Sequence, residues 1–181
     1  MAGRGDIESL VELTRSGSSA AWGRVYEILA PSVFRICRKV LASPEDADDA
    51  TSEIFLKARV RLGSYERSRP FAPWLYRVAA NHCWDQLRKR RTRAEVDDGE
   101  LELESLEDDA PTPQEAVLAI ENRENLRRAL ADLDDRSRLA VVLRYYADMS
   151  YEEIGFALGI SPNFVGVLLL RARRAMRKSL P

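Results

Sequence analysis

Apolar side chains recur every three or four residues along most of this chain, and no run makes a convincing period-two strand. From Ser18 to about Leu41, Trp22, Val25, Tyr26 and Leu29 share one stripe. Val33, Phe34, Ile36, Cys37 and Val40 continue an apolar face beyond Pro31, where the helix is expected to break or restart. Ser43-Pro44-Glu45-Asp46 predicts the next helix start. It offers a capping hydroxyl, a proline at the first helical position and acids near the positive end of the dipole. That helix should run to about Leu62, burying Ala47, Ala50, Ile54, Ala58 and Leu62. Gly63 to Arg69 reads as a polar turn containing Tyr65. Pro70 opens a further helix through Phe71, Trp74, Leu75, Val78 and Leu87 into the basic run Arg88-Lys89-Arg90-Arg91. These stripes suffice for one small bundle over residues 18–93. Ahead of it, residues 1–17 form an N-terminal segment whose one signal is a short helix at Ile7 to Leu13.

A second periodic region occupies residues 112–181. Thr112-Pro113-Gln114-Glu115 fits a capping box and leads a helix carrying Val117, Ile120, Leu126 and Leu130. Another helix is expected from about Asp135 to Ala147, with Leu139, Val142, Leu143 and Tyr146 inward. Ser150-Tyr151-Glu152-Glu153 is a second capping box, followed by Ile154, Ala157 and Leu158. Gly159 supplies a left-handed turn, Ile160 plugs the corner, and Ser161-Pro162 restarts a helix with Val165, Leu169, Ala172 and Met176 at core spacing. Helix, tight glycine turn and helix write a helix-turn-helix. An ordinary helical hairpin shares that outline. The two caps and the bases Arg171, Arg173, Arg174, Arg177 and Lys178 favour nucleic-acid binding.

Charge separates the two regions. Between Thr92 and Pro113 nine acids stand against Arg93 alone, so this stretch carries −8 while the rest of the chain carries +7. A net charge of −1 therefore hides a basic protein joined through an acidic strap, and a basic surface permits a polyanionic partner. With Asp-Asp-Gly, Asp-Asp-Ala and Pro-Thr-Pro, residues 94–111 read as a flexible linker, though Leu101, Leu103 and Leu106 could dock in a groove. The expected fold is all-α: two small helical domains, an acidic linker, and a helix-turn-helix in the C-terminal domain. Two cysteines are too few for a disulfide framework. No signal peptide or membrane-spanning run is seen, so no membrane insertion and a cytoplasmic setting are expected. His82 stands beside Cys83 without metal-ligand spacing to Cys37 and reads as a helix residue near the core. No phosphate loop, nucleophile elbow or paired acid and base is found. No metal, cofactor, small-molecule substrate or enzymatic activity is expected.

Three segments resemble the extracytoplasmic-function group of bacterial RNA polymerase sigma factors, in the right order and separation. Asp46 to Leu56 looks like that family's acidic, Phe-containing helix for core polymerase. Phe71 to Asn81 with Asp85 to Arg90 looks like its promoter-opening helix. Leu143 to Tyr146, Ser150 to Ile154 and Leu158 to Ser161 look like its C-terminal helix-turn-helix. The resemblance implies a specificity subunit that binds core RNA polymerase and promoter DNA and is held by an anti-sigma factor. In the polymerase interface it places Asp46, Asp49, Glu53, Phe55 and Lys57. Of these, Asp46, Asp49, Glu53 and Lys57 also share a solvated helix face. At the minus-ten element it places Tyr65, Trp74, Tyr76, Asn81, Asp85, Arg88, Lys89, Arg90 and Arg91. Aromatic faces, amide edges and cations suit bases that have left the stack, and the basic run suits phosphates. Trp74 fits packing and base contact equally, whereas Phe71, Leu75 and Val78 belong to the core. The acidic strap would lie in the channel later taken by RNA, or serve only as a soluble tether.

The last helix departs from the family pattern. Phe164-Val165-Gly166-Val167-Leu168-Leu169-Leu170 stands where Thr-Val-Lys-Ser-Arg-Leu is usual, so the usual Lys and Arg become Gly166 and Leu168. Leucines cannot make the bidentate contacts by which Arg reads guanine. The minus-thirty-five element would then fall to Ser161, Pro162, Asn163, Phe164 and Gly166, with Arg171, Arg173 and Arg174 on phosphates. Alternatively the apolar surface meets a protein such as an anti-sigma factor. Two other readings stay open at this point: a stand-alone helix-turn-helix regulator, and an interaction module that has lost DNA binding.

Overall fold

Every secondary-structure element in the computed structural model, which describes residues 4–41, 43–94 and 125–179, is a helix. The strap with Leu101, Leu103 and Leu106, and the Thr112 capping box with Val117 and Ile120, lie outside the described residues. So does the side chain of Arg91.

Helix α1 (Arg4–Arg15) extends beyond the expected Ile7–Leu13 at both ends and seats Val11 in the core. Its Glu8 accepts the Phe71 backbone N–H at 3.3 Å, placing a carboxylate at the positive end of a later helix. Helix α2 (Ser19–Leu41) runs unbroken through Pro31, against the expected break. Val25, Leu29, Val33 and Ile36 keep one helical phase across the proline and are buried, while Pro31 itself faces solvent. Packing on both sides outweighs one missing backbone donor.

Ser43 starts helix α3 (Pro44–Val60) as its pattern predicts, its Oγ accepting the Asp46 N–H at 3.2 Å. After the short 3-10 turn Leu62–Ser64 comes helix α4 (Phe71–Ala94). Phe55 and Phe71 both meet Trp22 edge-on, at 5.9 and 6.4 Å, and Tyr65 and Trp74 pack on Phe71 at 5.2 and 5.3 Å. Phe71 is fully buried, and such burial stabilises by about 3 kcal/mol.

The C-terminal half comprises a helical segment at residues 125–131 (α5), then α6 (Asp135–Tyr145), α7 (Tyr151–Leu158) and α8 (Pro162–Ser179). The Ser150 capping box is complete. Ser150 Oγ accepts the Glu153 N–H at 3.2 Å, and Glu153 accepts the Ser150 N–H at 2.8 Å. Gly159 closes α7 at φ 66°, and the chain turns through 96° into α8. Gly155 permits that turn, since a Cβ there would stand 2.7 Å from the Ile160 carbonyl oxygen.

The two halves pack together: α6 and α7 lie on α4, α6 also meets α2, and the buried core is continuous across them. Arg138 on α6 makes one joint. Its guanidinium donates to the carbonyls of Leu130, Ala131 and Leu133 at 2.8 to 3.1 Å, and to Val40 at the end of α2 at 3.3 Å.

Candidate nucleic-acid and polymerase interfaces

Helix α4 splits its residues by phase. Phe71, Leu75, Ala79, His82 and Cys83 turn inward, leaving Trp74, Asn81, Asp85 and Arg88 along the outer side at seven-, four- and three-residue steps, with Lys89 beside Arg88. Asn81, Asp85, Arg88 and Lys89 are exposed and Trp74 is half-buried. The upper end of this face opens on a cleft of about 330 Å³ lined by Tyr65, Trp74, Asn81, Arg61, Arg69 and Arg77, among others. The cleft thus joins the Gly63–Arg69 turn to α4, with three guanidinium-bearing residues among its lining. Tyr65 is buried and its hydroxyl donates to the Arg69 carbonyl at 2.6 Å, so the ring shapes the turn rather than offering a free face.

Two sequence-selected members of this set stand elsewhere. Tyr76 is in the core, its hydroxyl pushed up in pKa by burial despite Ser32 nearby, because it lies on the side of α4 that packs on α2. Direct base contact by that ring is therefore withdrawn. Arg90 folds back to pair with Asp46 and to donate to the Leu41 carbonyl at 3.0 Å, capping the end of α2. Burial pulls its pKa down.

The same pair takes Asp46 from the open face of α3, where Asp49 and Glu53 are left exposed. Lys57 is shared: its Nζ lies 3.3 Å from Glu53 and 2.7 Å from Nδ1 of buried His82. Phe55 is only 3% exposed, held edge-on to Trp22 and tilted against Tyr26, so it anchors α3 instead of facing a partner. What α3 does present, and the sequence reading missed, is Leu56 at 67% and Val60 at 87% exposure, one turn apart beside Glu53 and Lys57. The signal lay in the phase: both fall outside the stripe of Ala47, Ala50, Ile54 and Ala58.

Helix α8 turns Val165, Leu168, Leu169 and Ala172 inward. Leu168 is 4% exposed and is a core residue, not a lost reading position, because it sits three residues from Val165 and four from Ala172. Ser161, Pro162, Asn163, Phe164, Arg171, Arg173 and Arg174 are all exposed, and Gly166 is half-buried with the Tyr151 ring 3.5 Å from where a Cβ would stand. Ser161 accepts the Phe164 N–H at 3.2 Å and so caps the helix start. Arg173 meets the Tyr145 hydroxyl at 3.3 Å, which holds its charge more firmly.

Phe156, like Leu56 and Val60, is a residue the sequence reading passed over. On α7 it lies opposite Ile154 and Leu158, and its ring faces the guanidinium groups of Arg77 and Arg69 at 4.0 and 4.4 Å. It thereby closes one wall of the α4 cleft.

Residues 25–93 match the Sigma-70 region 2 family and residues 123–176 the Sigma-70 region 4 family. The extracytoplasmic-function sigma factor SigW of Bacillus subtilis is 28% identical over 180 residues, covering 96% of each chain. The RNA polymerase sigma factor CnrH of Cupriavidus metallidurans is 30% identical over 163 residues, covering 87% of this chain and 85% of CnrH. This chain belongs to the extracytoplasmic-function sigma factors. It is an alternative sigma factor that directs transcription initiation, and the stand-alone regulator and the pure interaction module are set aside. Solved folds agree: CnrH in complex with the cytosolic domain of CnrY aligns at TM-score 0.71 and 24% identity over 96% of both chains. RpoE in complex with the anti-sigma factor NepR from Bartonella quintana aligns at 0.71 and 19% over 87% of this chain and 94% of RpoE. In this sigma factor the α3 face and the α4 side of the cleft fall within region 2, while Phe156, which closes the cleft, and the α8 face fall within region 4.

Proposed function

We propose that this sigma factor divides its work among three faces. The α3 surface of Asp49, Glu53, Leu56, Lys57 and Val60 docks on core polymerase, with charge setting orientation and apolar area holding it. The outer side of α4, with its cleft, takes the opened minus-ten element. Trp74 and Asn81 meet bases there, and Arg88 and Lys89 meet phosphates. The exposed start of α8 reads the minus-thirty-five element, with Arg171, Arg173 and Arg174 on the backbone. The chain performs no catalysis of its own and works in the cytoplasm. An anti-sigma factor holds it in reserve, as the pairing of RpoE with NepR supports by analogy.

The observation that carries this is the single stripe of Trp74, Asn81, Asp85 and Arg88 running out of the guanidinium-lined cleft. An aromatic face, an amide edge and cations in one line match what an unpaired strand offers. Reconstitution with core RNA polymerase tests it. Asn81→Ala and Arg88→Ala should each lower permanganate-detected promoter opening about tenfold or more, as expected for loss of one good polar base contact or a buried phosphate pair. Association with core should stay unchanged. Normal opening by both variants removes the α4 assignment.

A further inference from the structure

The outward face of α8 is built from an unusual set for a helix that enters a major groove. At four-, three- and four-residue steps it carries Asn163, Val167, Leu170 and Arg174, opposite the buried Val165, Leu168, Leu169 and Ala172. Val167 is 40% and Leu170 49% exposed, and Phe164 flanks them. No arginine or lysine appears on α8 before Arg171, so its first two turns hold no guanidinium fork. From the third turn onward Arg171, Arg173, Arg174, Arg177 and Lys178 crowd the helix with positive charge.

In a helix-turn-helix the N-terminal residues of the second helix approach base edges, while later bases meet the backbone. Guanine offers two acceptors in the major groove and calls for paired donors. Val167 and Leu170 have none, and set against a G·C edge they would strip its polar groups of water without replacement. Thymine alone presents a methyl group there, and adenine presents the acceptor and donor that a carboxamide meets with two bonds. Resting on the proposal that α8 reads the upstream element, we infer that it selects A·T pairs, with Val167 and Leu170 packing on thymine methyls and Asn163 on an adenine. The cationic third and later turns commit this apolar patch to a polyanion: five basic residues adjoin it, and no acid occurs on α8. The specificity so obtained is for methyl shape, and a guanidinium-based reader of the same groove would prefer guanine.

Holoenzyme reconstituted from core polymerase and the full chain is used to enrich promoter fragments from a library randomised across the upstream window. Enriched fragments should be rich in A·T there. Replacing the upstream thymines with deoxyuridine removes only methyl groups, and should weaken holoenzyme binding about fourfold for each methyl whose burial is lost. Val167→Ala with Leu170→Ala should bind the thymine and deoxyuridine fragments equally, both about as the wild type binds deoxyuridine. These side chains are exposed, so α8 stays folded, and core association and minus-ten opening serve as controls. Enrichment of G·C, or equal binding of thymine and deoxyuridine by the wild type, overturns the methyl readout while leaving α8 as the upstream reader. No upstream enrichment with intact minus-ten opening overturns α8 as a DNA reader altogether and gives the patch to a protein.

Discussion

His82 shows how one buried ring can bind a helix face to pH. Its Nδ1 lies 2.7 Å from Lys57 Nζ, so Nδ1 accepts and the proton rests on Nε2, which is buried without a hydrogen-bond partner. Burial first, and then the Lys57 charge, pull its pKa below that of a free histidine, with Lys89 adding to this and Glu53 and Asp85 opposing. The folded chain therefore resists protonation that the unfolded chain accepts near pH 6.5. The stability this contributes is fully present above about pH 6.5 and is lost as pH falls toward the folded value, at no more than about 1.4 kcal/mol per pH unit. Urea midpoints measured between pH 7.5 and 5 should decline accordingly. His82→Gln, which cannot titrate, should flatten that decline, and an unchanged slope would move the pH sensitivity to other groups. The sequence marked His82 as a near-core helix residue, since no metal-ligand spacing joined it to the cysteines. Its lysine partner, 25 positions away, was beyond any local pattern.

At the scale of an element, the helix-turn-helix shows which constraints a sequence displays. Ser150 and Glu153 advertise their cap because both partners lie within one turn, and Gly159 advertises its positive φ. Gly155 advertises nothing: its requirement comes from the Ile160 carbonyl, which arrives only after the chain has turned. Gly155→Ala sets the gain from better helix propensity, about 1 kcal/mol, against a backbone clash at 2.7 Å that forces the turn open. We expect a net loss of about 1 to 2 kcal/mol, read as a lower thermal midpoint, with upstream footprinting weakened and core association retained. A variant as stable as the wild type would mean that the turn has slack. Pro31 and Leu168 teach the complementary lesson. In each, a local rule or a family alignment pointed one way while the three- and four-residue phase of the neighbours pointed to the observed answer. The Asp46–Arg90 pair was illegible for a different reason, since its two residues come from separate helices whose crossing only the tertiary packing sets.

At the scale of the whole molecule, aromatic rings of one half are held against cations of the other. Phe156 meets Arg69 and Arg77, Tyr146 lies under Lys39 at 5.2 Å, and Trp84 lies under Arg136 at 5.4 Å. Contacts of this kind contribute about 0.5 to 2 kcal/mol each, enough in sum to favour closure yet small beside the interactions a polymerase surface can offer. The Phe156 contacts matter most, because Arg69 and Arg77 cannot both stack on that ring and swing out to phosphate. On the proposed function, closure and nucleic-acid contact at the cleft compete for the same guanidinium groups. Phe156→Ala removes the ring from a half-buried position outside the cores of both halves, so each should keep its fold while the joint weakens. Small-angle scattering of the free chain should show a larger radius of gyration for the variant. A single-stranded minus-ten oligonucleotide should bind the free variant about threefold to tenfold more tightly than the wild type, the range expected from releasing one or two such stacks. Asn81→Ala in the Phe156→Ala background separates the two possible origins of that gain. If tighter binding persists without Asn81, the freed arginines are gripping phosphate alone. If it vanishes, opening the cleft has exposed the base-reading side of α4. An unchanged radius together with unchanged oligonucleotide affinity would show that Arg138 and the continuous core hold the halves shut without the Phe156 clasp.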